Sequence, residues 1–325
     1  MSRQAQWIGT IVGLLVALSI PWWVTSSFYM RLINFSGITI IAVVGLNFIT
    51  GETGQISLGH AAFFGIGAYT AAILGTVFHW NFWMGTVAAG AVTTTIAIII
   101  GFPTLRLKGH YLAIATIGLG EIIRLVFNNW RSVTNGFDGI GEIPEPHVLG
   151  FAIGSDFRFY YLIAAFVAAF ILLAARIKAT GFGRAMIAVR DNEMAAEAMG
   201  ISPTTHKMLA FALSGLYAGV AGSLYAHLFT YISPDAFNLD LSIIFFAMLI
   251  LGGLGSILGS AIAAVFLTLL PEWLRFLEEY YMVLYGAIVI LTIVYMPRGI
   301  IGMLTDWHQW RVTRTTRSAE SVHGG

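Results

Sequence analysis

Long apolar runs alternate with short polar ones along this chain. Ten apolar segments can be drawn, at roughly residues 6–24, 33–50, 58–78, 82–102, 109–127, 158–178, 207–229, 237–252, 255–272 and 281–296. Runs of this length and apolarity predict membrane helices. The 237–252 run is short for a straight crossing and reads as a half-helix or re-entrant element, turning back through Gly252-Gly253-Leu254-Gly255-Ser256. The first run ends on Pro21-Trp22-Trp23, an interfacial aromatic pair, without a small-x-small cleavage site, so it reads as a retained helix rather than a signal peptide. The expected fold class is all-α: a polytopic transmembrane helical bundle of about 8–10 membrane segments with broken or re-entrant elements. It forms one membrane domain over residues 1–300, followed by a polar tail over 301–325.

One polar interruption is longer and better patterned than the others, Ala179 to Lys207. From Asp191 to Met199 the spacing predicts a short amphipathic helix, with Met194, Ala195, Ala198 and Met199 on one face and Glu193 and Glu197 on the other. Gly200 is placed to end it in a left-handed cap, and Pro203 to block a restart. Glu193 and Glu197 repel at i,i+4, an effect Arg190 can offset. Two readings stand: a solvated loop, or a docking helix for a soluble partner.

Composition narrows the picture. Only 10% of residues are charged, against about 25% in soluble domains. The formal net charge of +1 gives no argument for nucleic acid as a partner. The absence of cysteine excludes disulfides and thiolate chemistry. Charge also sets the orientation. With 179–207 cytoplasmic, Arg3, Arg106, Lys108, Arg176, Lys178, Arg184, Arg190, Lys207, Arg298, Arg311, Arg314 and Arg317 lie inside, and only Arg31, Arg131, Arg158 and Arg275 lie outside. Both termini are then cytoplasmic, and the loop at 128–157, with its glycine-rich turn Thr134–Gly141, is external.

A second polar stretch, Gly51-Glu52-Thr53-Gly54-Gln55-Ile56-Ser57-Leu58-Gly59-His60, reads as a broken element at membrane depth. Ser57 is placed to cap the following helix. Gln55, Ser57 and His60 are candidates to line a solute path, with Tyr111 and Asp138 as further candidates; close packing through small residues is the competing reading. Glu52 reads equally as a surface charge. The stretch Gly54–Ala61 has a weak echo in Gly255–Ala261, which would make a parallel repeat. Glu121 and Arg124, at i,i+3, read as an intrahelical pair neutralising itself near the outer interface. His227 reads as a helix-end residue. The pattern contains no catalytic constellation and no metal-ligand spacing. None of the lysines, Lys108, Lys178 and Lys207, follows a glycine, so the chain carries no P-loop of its own. Active transport would need energy from another subunit.

Three stretches, residues 45–74, 105–129 (with Thr134–Pro144 after it) and 183–226 (with Leu249–Ala264 after it), together resemble the membrane permease subunit of branched-chain amino-acid ABC importers. Within that family the long loop at 128–157 resembles the larger of the two sister permeases. The resemblance implies a heterodimer with a sister permease, two cytoplasmic ATPase subunits that bind ATP and magnesium, and a periplasmic substrate-binding protein, in lipid of a bacterial inner membrane. No cofactor is expected on this chain, and it is not expected to be an enzyme. Glu197-Ala198-Met199-Gly200 resembles the ATPase-coupling motif of such permeases, with Met199 in place of its second alanine. The expected coupling surface is accordingly Arg190, Glu193, Met194, Ala195, Glu197, Ala198, Met199 and Gly200. The solutes implied are leucine, isoleucine and valine. Urea, short amides or aromatic acids in the same family, or a self-contained channel or secondary carrier, remain as alternatives.

Overall fold

The computed structural model describes residues 19–105, 107, 109–148 and 151–280, with a few isolated positions up to 299. Most of the first apolar segment, the 281–296 segment, Arg106, Lys108 and the 301–325 tail lie outside the described residues.

Helix α1 (Ser27–Asn47) runs into a π-turn, Phe48–Glu52. After a non-helical stretch come α2 (His60–Thr76), α3 (Phe82–Thr104) and α4 (His110–Asn129). The loop that follows holds a two-residue hairpin of β1 (His147–Val148) and β2 (Phe151–Ala152), a small departure from an all-α chain. Then come α5 (Asp156–Ala179), α6 (Gly181–Asp191), α7 (Glu193–Ala198) and α8 (Pro203–Phe229). The described part closes with α9 (Leu239–Gly252) and α10 (Ile257–Trp273). Among the described residues six helical stretches are long and apolar enough to cross a membrane. One of the six is Pro234–Gly252, which joins a 3-10 turn to α9. At 14 residues α9 rises about 21 Å, less than the apolar core of a bilayer, and the single 3-10 turn at Pro234–Phe237 leads into it.

The helix α8 is the hub, packed on α1, α2 and α3. It is apolar all round and so gives no hydrophobic stripe to read; its contacts are set by small residues instead. Where α2 crosses α8, a β-carbon on Gly67 would strike the Gly219 carbonyl, and one on Gly222 would strike the Phe64 carbonyl. Hydroxyls tie α8 to α3, α1 to α10 and α8 to α5. Thr86 and Ser223 lie 2.9 Å apart, Thr39 and Thr268 3.1 Å, and the Tyr217 hydroxyl donates to the Phe170 carbonyl at 2.8 Å. In hydrocarbon such groups have no water to turn to.

Helices α1 and α5 run side by side in the same direction. At one end they meet through Arg31 and Asp156 at 3.2 Å. At the other end they meet through Glu52 and Lys178 at 2.7 Å. The loop after α4 is tied down by a bridge between Ile140 and Ile232, with both amides donating at 2.9 Å. The turn after α9 meets the end of α1: the Asn47 side chain accepts from the Gly255 amide at 2.9 Å.

Candidate functional site

The polar segment 179–207 is folded differently from a single amphipathic helix. Asn192 is extended (φ −159°, ψ 105°) and separates α6 from α7. Its side chain accepts from the Ala195 amide at 3.0 Å, the side-chain cap that Asn favours over helix continuation. Gly200 does close α7 in the left-handed region at φ 83°, while the Ile201 amide reaches back to the Ala196 carbonyl at 3.0 Å. Pro203 opens α8 rather than blocking it. It sits in the first turn, where its missing N–H costs nothing, behind Ser202 as cap.

The two faces of α7 are also redistributed. Ala196 is buried against the body, whereas Met194 and Met199 are 80% and 82% exposed. Ala195, Glu197 and Ala198 are exposed with them. Glu193 and Glu197 do not share a solvated face. Glu193 turns inward and pairs with Lys207 at 2.8 Å, on a lysine side chain that is only 11% exposed. Arg190 does not offset Glu193. Its guanidinium donates to the Gly51 carbonyl at 2.7 Å and reaches Asp191 at 3.1 Å. The outcome is a short, capped helix pinned to the membrane body and carrying two unburied methionines.

The break at 51–60 is buried throughout apart from Gly54, Ile56 and Leu58. Its free backbone groups are met by hydroxyls of neighbouring helices. The Leu58 amide donates to Thr116 Oγ1 and the Ala61 amide to Ser242 Oγ, both at 3.0 Å. Gln55 is nearly buried, and its side-chain oxygen accepts from the Thr53 hydroxyl at 3.3 Å. Ser57 does not cap α2; Gly59 holds the cap position. The buried Ser57 hydroxyl has no hydrogen-bond partner among the described residues. His60 is fully buried, with Nε2 2.8 Å from the Ala42 carbonyl and Nδ1 3.3 Å from the Ser214 hydroxyl. Tyr111 is 74% exposed at the first turn of α4. Asp138 lies beyond the opposite end of α4, in the loop that follows it, where its carbonyl accepts from the Tyr231 hydroxyl at 3.0 Å. Gln55, Ser57 and His60 therefore share one element, and Tyr111 and Asp138 do not join them.

Residues the sequence reading passed over complete the picture. Glu52 is not a surface charge; its side chain is 3% exposed and paired with Lys178. Its place between two glycines in a broken element was the available signal, since a carboxylate at that depth requires a cation. Glu121 and Arg124 do pair, at 2.5 Å, but Arg124 also reaches Asp235 at 3.4 Å, which links α4 to the stretch before α9. A cavity of about 210 Å³ opens between the break, α4 and the start of α9. Leu58, Ala62, Ile117, Phe237 and Leu239 make it mainly apolar, with Glu121, Asn238 and Ser242 as its polar points. A second, polar cavity of about 360 Å³ separates the break from the 179–207 segment, bounded by Thr53, Gln55, Arg190, Asn192, Glu193 and Lys207.

Residues 28–293 match the family described as branched-chain amino acid transport system / permease component. Among curated proteins, the chain is 33% identical to the high-affinity branched-chain amino acid transport system permease protein LivM of Salmonella typhimurium, over 89% of this chain and 74% of the relative. It is 25% identical to the probable branched-chain amino acid transport permease protein LivM of Methanocaldococcus jannaschii, over 79% and 76%. It is 26% identical to the ribose import permease protein RbsC of Escherichia coli strain K12, over 88% and 91%. No solved structure matches the chain.

Proposed function

Because the chain belongs to the branched-chain amino acid transport system permease family, we propose that it forms the translocation path for leucine, isoleucine and valine in an ATP-driven importer of a bacterial inner membrane. Separate cytoplasmic ATPase subunits, holding ATP and magnesium, dock on the outward face of α7. A sister permease completes the path, and a periplasmic binding protein delivers the solute.

The observation that carries this reading is α7 itself. A helix of six residues, capped by Asn192, closed by Gly200 and pinned by Ala196 and the Glu193–Lys207 pair, leaves Met194 and Met199 in water. Flexible, polarisable methionine suits a groove on a partner better than it suits solvent. The energy source is external because no Gly-Lys-Ser/Thr loop occurs in the chain. The apolar lining of the 210 Å³ cavity supports an aliphatic side chain as solute rather than a sugar, whose hydroxyls would need more partners than Glu121, Asn238 and Ser242 supply.

Reconstitution in liposomes with the sister permease, the ATPases and the binding protein tests the proposal. ATP-dependent uptake of radiolabelled leucine is expected, without comparable uptake of ribose. Uptake by this chain alone would overturn the reading in favour of a channel or carrier.

A further inference from the structure

Two cations, one just before α6 and one near its end, grip the same place in the membrane body. Lys178 is the second-last residue of α5, immediately before the 179–207 segment. Its ammonium donates to Glu52 Oε1 at 2.7 Å and also to the Gly255 carbonyl. Arg190 is the second-last residue of α6, and its guanidinium donates to the Gly51 carbonyl at 2.7 Å. Gly51 and Glu52 are consecutive residues in the π-turn that ends α1. Gly255 belongs to the turn between α9 and α10 and is held to α1 by Asn47.

This is an expensive arrangement for anchorage alone. The Glu52 side chain is 3% exposed, and its second oxygen has no partner among the described residues. A buried charge pair gives little net stability over apolar residues of the same size, because desolvation offsets the attraction. The two turns that the cations grip are also packed too closely to slide on each other. A β-carbon on Gly51 would come within 2.5 Å of the Gly255 nitrogen. Displacing α6 as a body must therefore carry the π-turn and the 253–255 turn with it. Beyond the π-turn the same backbone continues through the break to Leu58 and Ala62, which line the 210 Å³ cavity, while α9, which ends at the other turn, begins at that cavity with Leu239 and Ser242.

We infer that Glu52, Lys178 and Arg190 are a clasp that transmits movement of the docked coupling segment to the two broken elements walling the cavity. They are positioning residues: none of them lines that cavity. The inference rests on the importer reading and goes beyond it by naming the link between α7 and the path. The clasp grips the chain at Gly51 and Glu52, ahead of the Gly54–Ala61 stretch, and at Gly255, the first residue of Gly255–Ala261.

The test uses the fully assembled importer in liposomes and reads solute taken up per ATP hydrolysed. The Glu52→Met/Lys178→Met double variant removes both charges together, so no unpaired charge is left buried and folding is preserved. It is expected to assemble and hydrolyse ATP while uptake per ATP falls about fivefold or more, the low end of what coupling between distant sites spans. Lys178→Arg, which keeps a cation against Glu52 and Gly255, is expected to retain the wild-type ratio. A double variant with the wild-type ratio overturns the clasp. Should that variant fail to accumulate, Glu52→Gln carries the test in its place, and an unchanged ratio there overturns it equally. Absence of ATP-dependent uptake by the wild-type assembly is a different failure, that of the importer reading itself.

Discussion

Truncating Met194 and Met199 together to alanine isolates the docking claim from the stability of the permease. Both side chains are already more than three-quarters in solvent, at 80% and 82% exposed, so the isolated chain loses no packing when they are shortened. Surface substitutions of this kind stay within about 0.5 kcal/mol, and alanine is also the better helix former. In the assembled importer the cost is different. Fully burying a methionine is worth about 1.5–3 kcal/mol. The alanine keeps the β-carbon, so the loss is about 1–2 kcal/mol at each site. If the two sites act independently, the sum is about 2–4 kcal/mol, or roughly 30- to 800-fold in dissociation constant. The measurement is a titration of the ATPase against permease held in nanodiscs, with the thermal midpoint of the permease recorded in parallel. An unchanged dissociation constant refutes the assignment of the α7 methionines as the docking surface. A weakened one accompanied by a lowered midpoint refutes the premise that these side chains serve nothing in the isolated chain.

Further expectations follow from single contacts. Glu197→Lys on the exposed face should weaken ATPase binding without lowering stability, whereas Glu193→Lys should cost about 1.5–3 kcal/mol in the permease alone by placing a second cation on Lys207, read as a lower unfolding midpoint. Gly67→Leu should abolish accumulation of folded protein, because the α2–α8 crossing has no room for a side chain beside Gly219; Gly85→Ala, with open space around it, should be neutral or stabilising by about 0.5–1 kcal/mol. Thr86→Val removes the 2.9 Å hydroxyl pair with Ser223 and should cost about 0.6 kcal/mol, the usual worth of such a bond within a membrane protein, measured by reversible unfolding in detergent.

The structure also changes which residues of the coupling segment do what. Of the positions the sequence pattern assigns to one docking surface, Met194, Ala195, Glu197, Ala198 and Met199 face outward, while Glu193 and Arg190 turn back into the protein and hold the segment in place. A six-residue helix has too few turns to be stable by itself, so inward-facing charges that fix it are as necessary to docking as the surface it presents. A charge reversal at Glu193 would therefore report on the internal pair as well as on the partner.

Much of the architecture is a local property and was legible in the chain. Apolar run length marks the membrane helices, and Gly200 ends α7 because only a residue free of a β-carbon penalty takes φ 83° easily. The missing phosphate loop is likewise a fact of the sequence. Partner choice is not local. Lys178 lies 126 residues from Glu52, and Gly255 lies 208 residues from Asn47. In a chain where nearly every helix face is apolar, periodicity does not say which face meets which neighbour. Asn192 illustrates the limit at short range. Helical spacing continues through it, yet its side chain competes for the Ala195 amide and divides one expected helix into two. The helices and the glycine stop after α7 were thus written in the order of residues. The clasp at Glu52, the inward turn of Glu193 and the cavity between α4 and α9 were decided by close packing, which alone brings distant polar groups together where water cannot satisfy them.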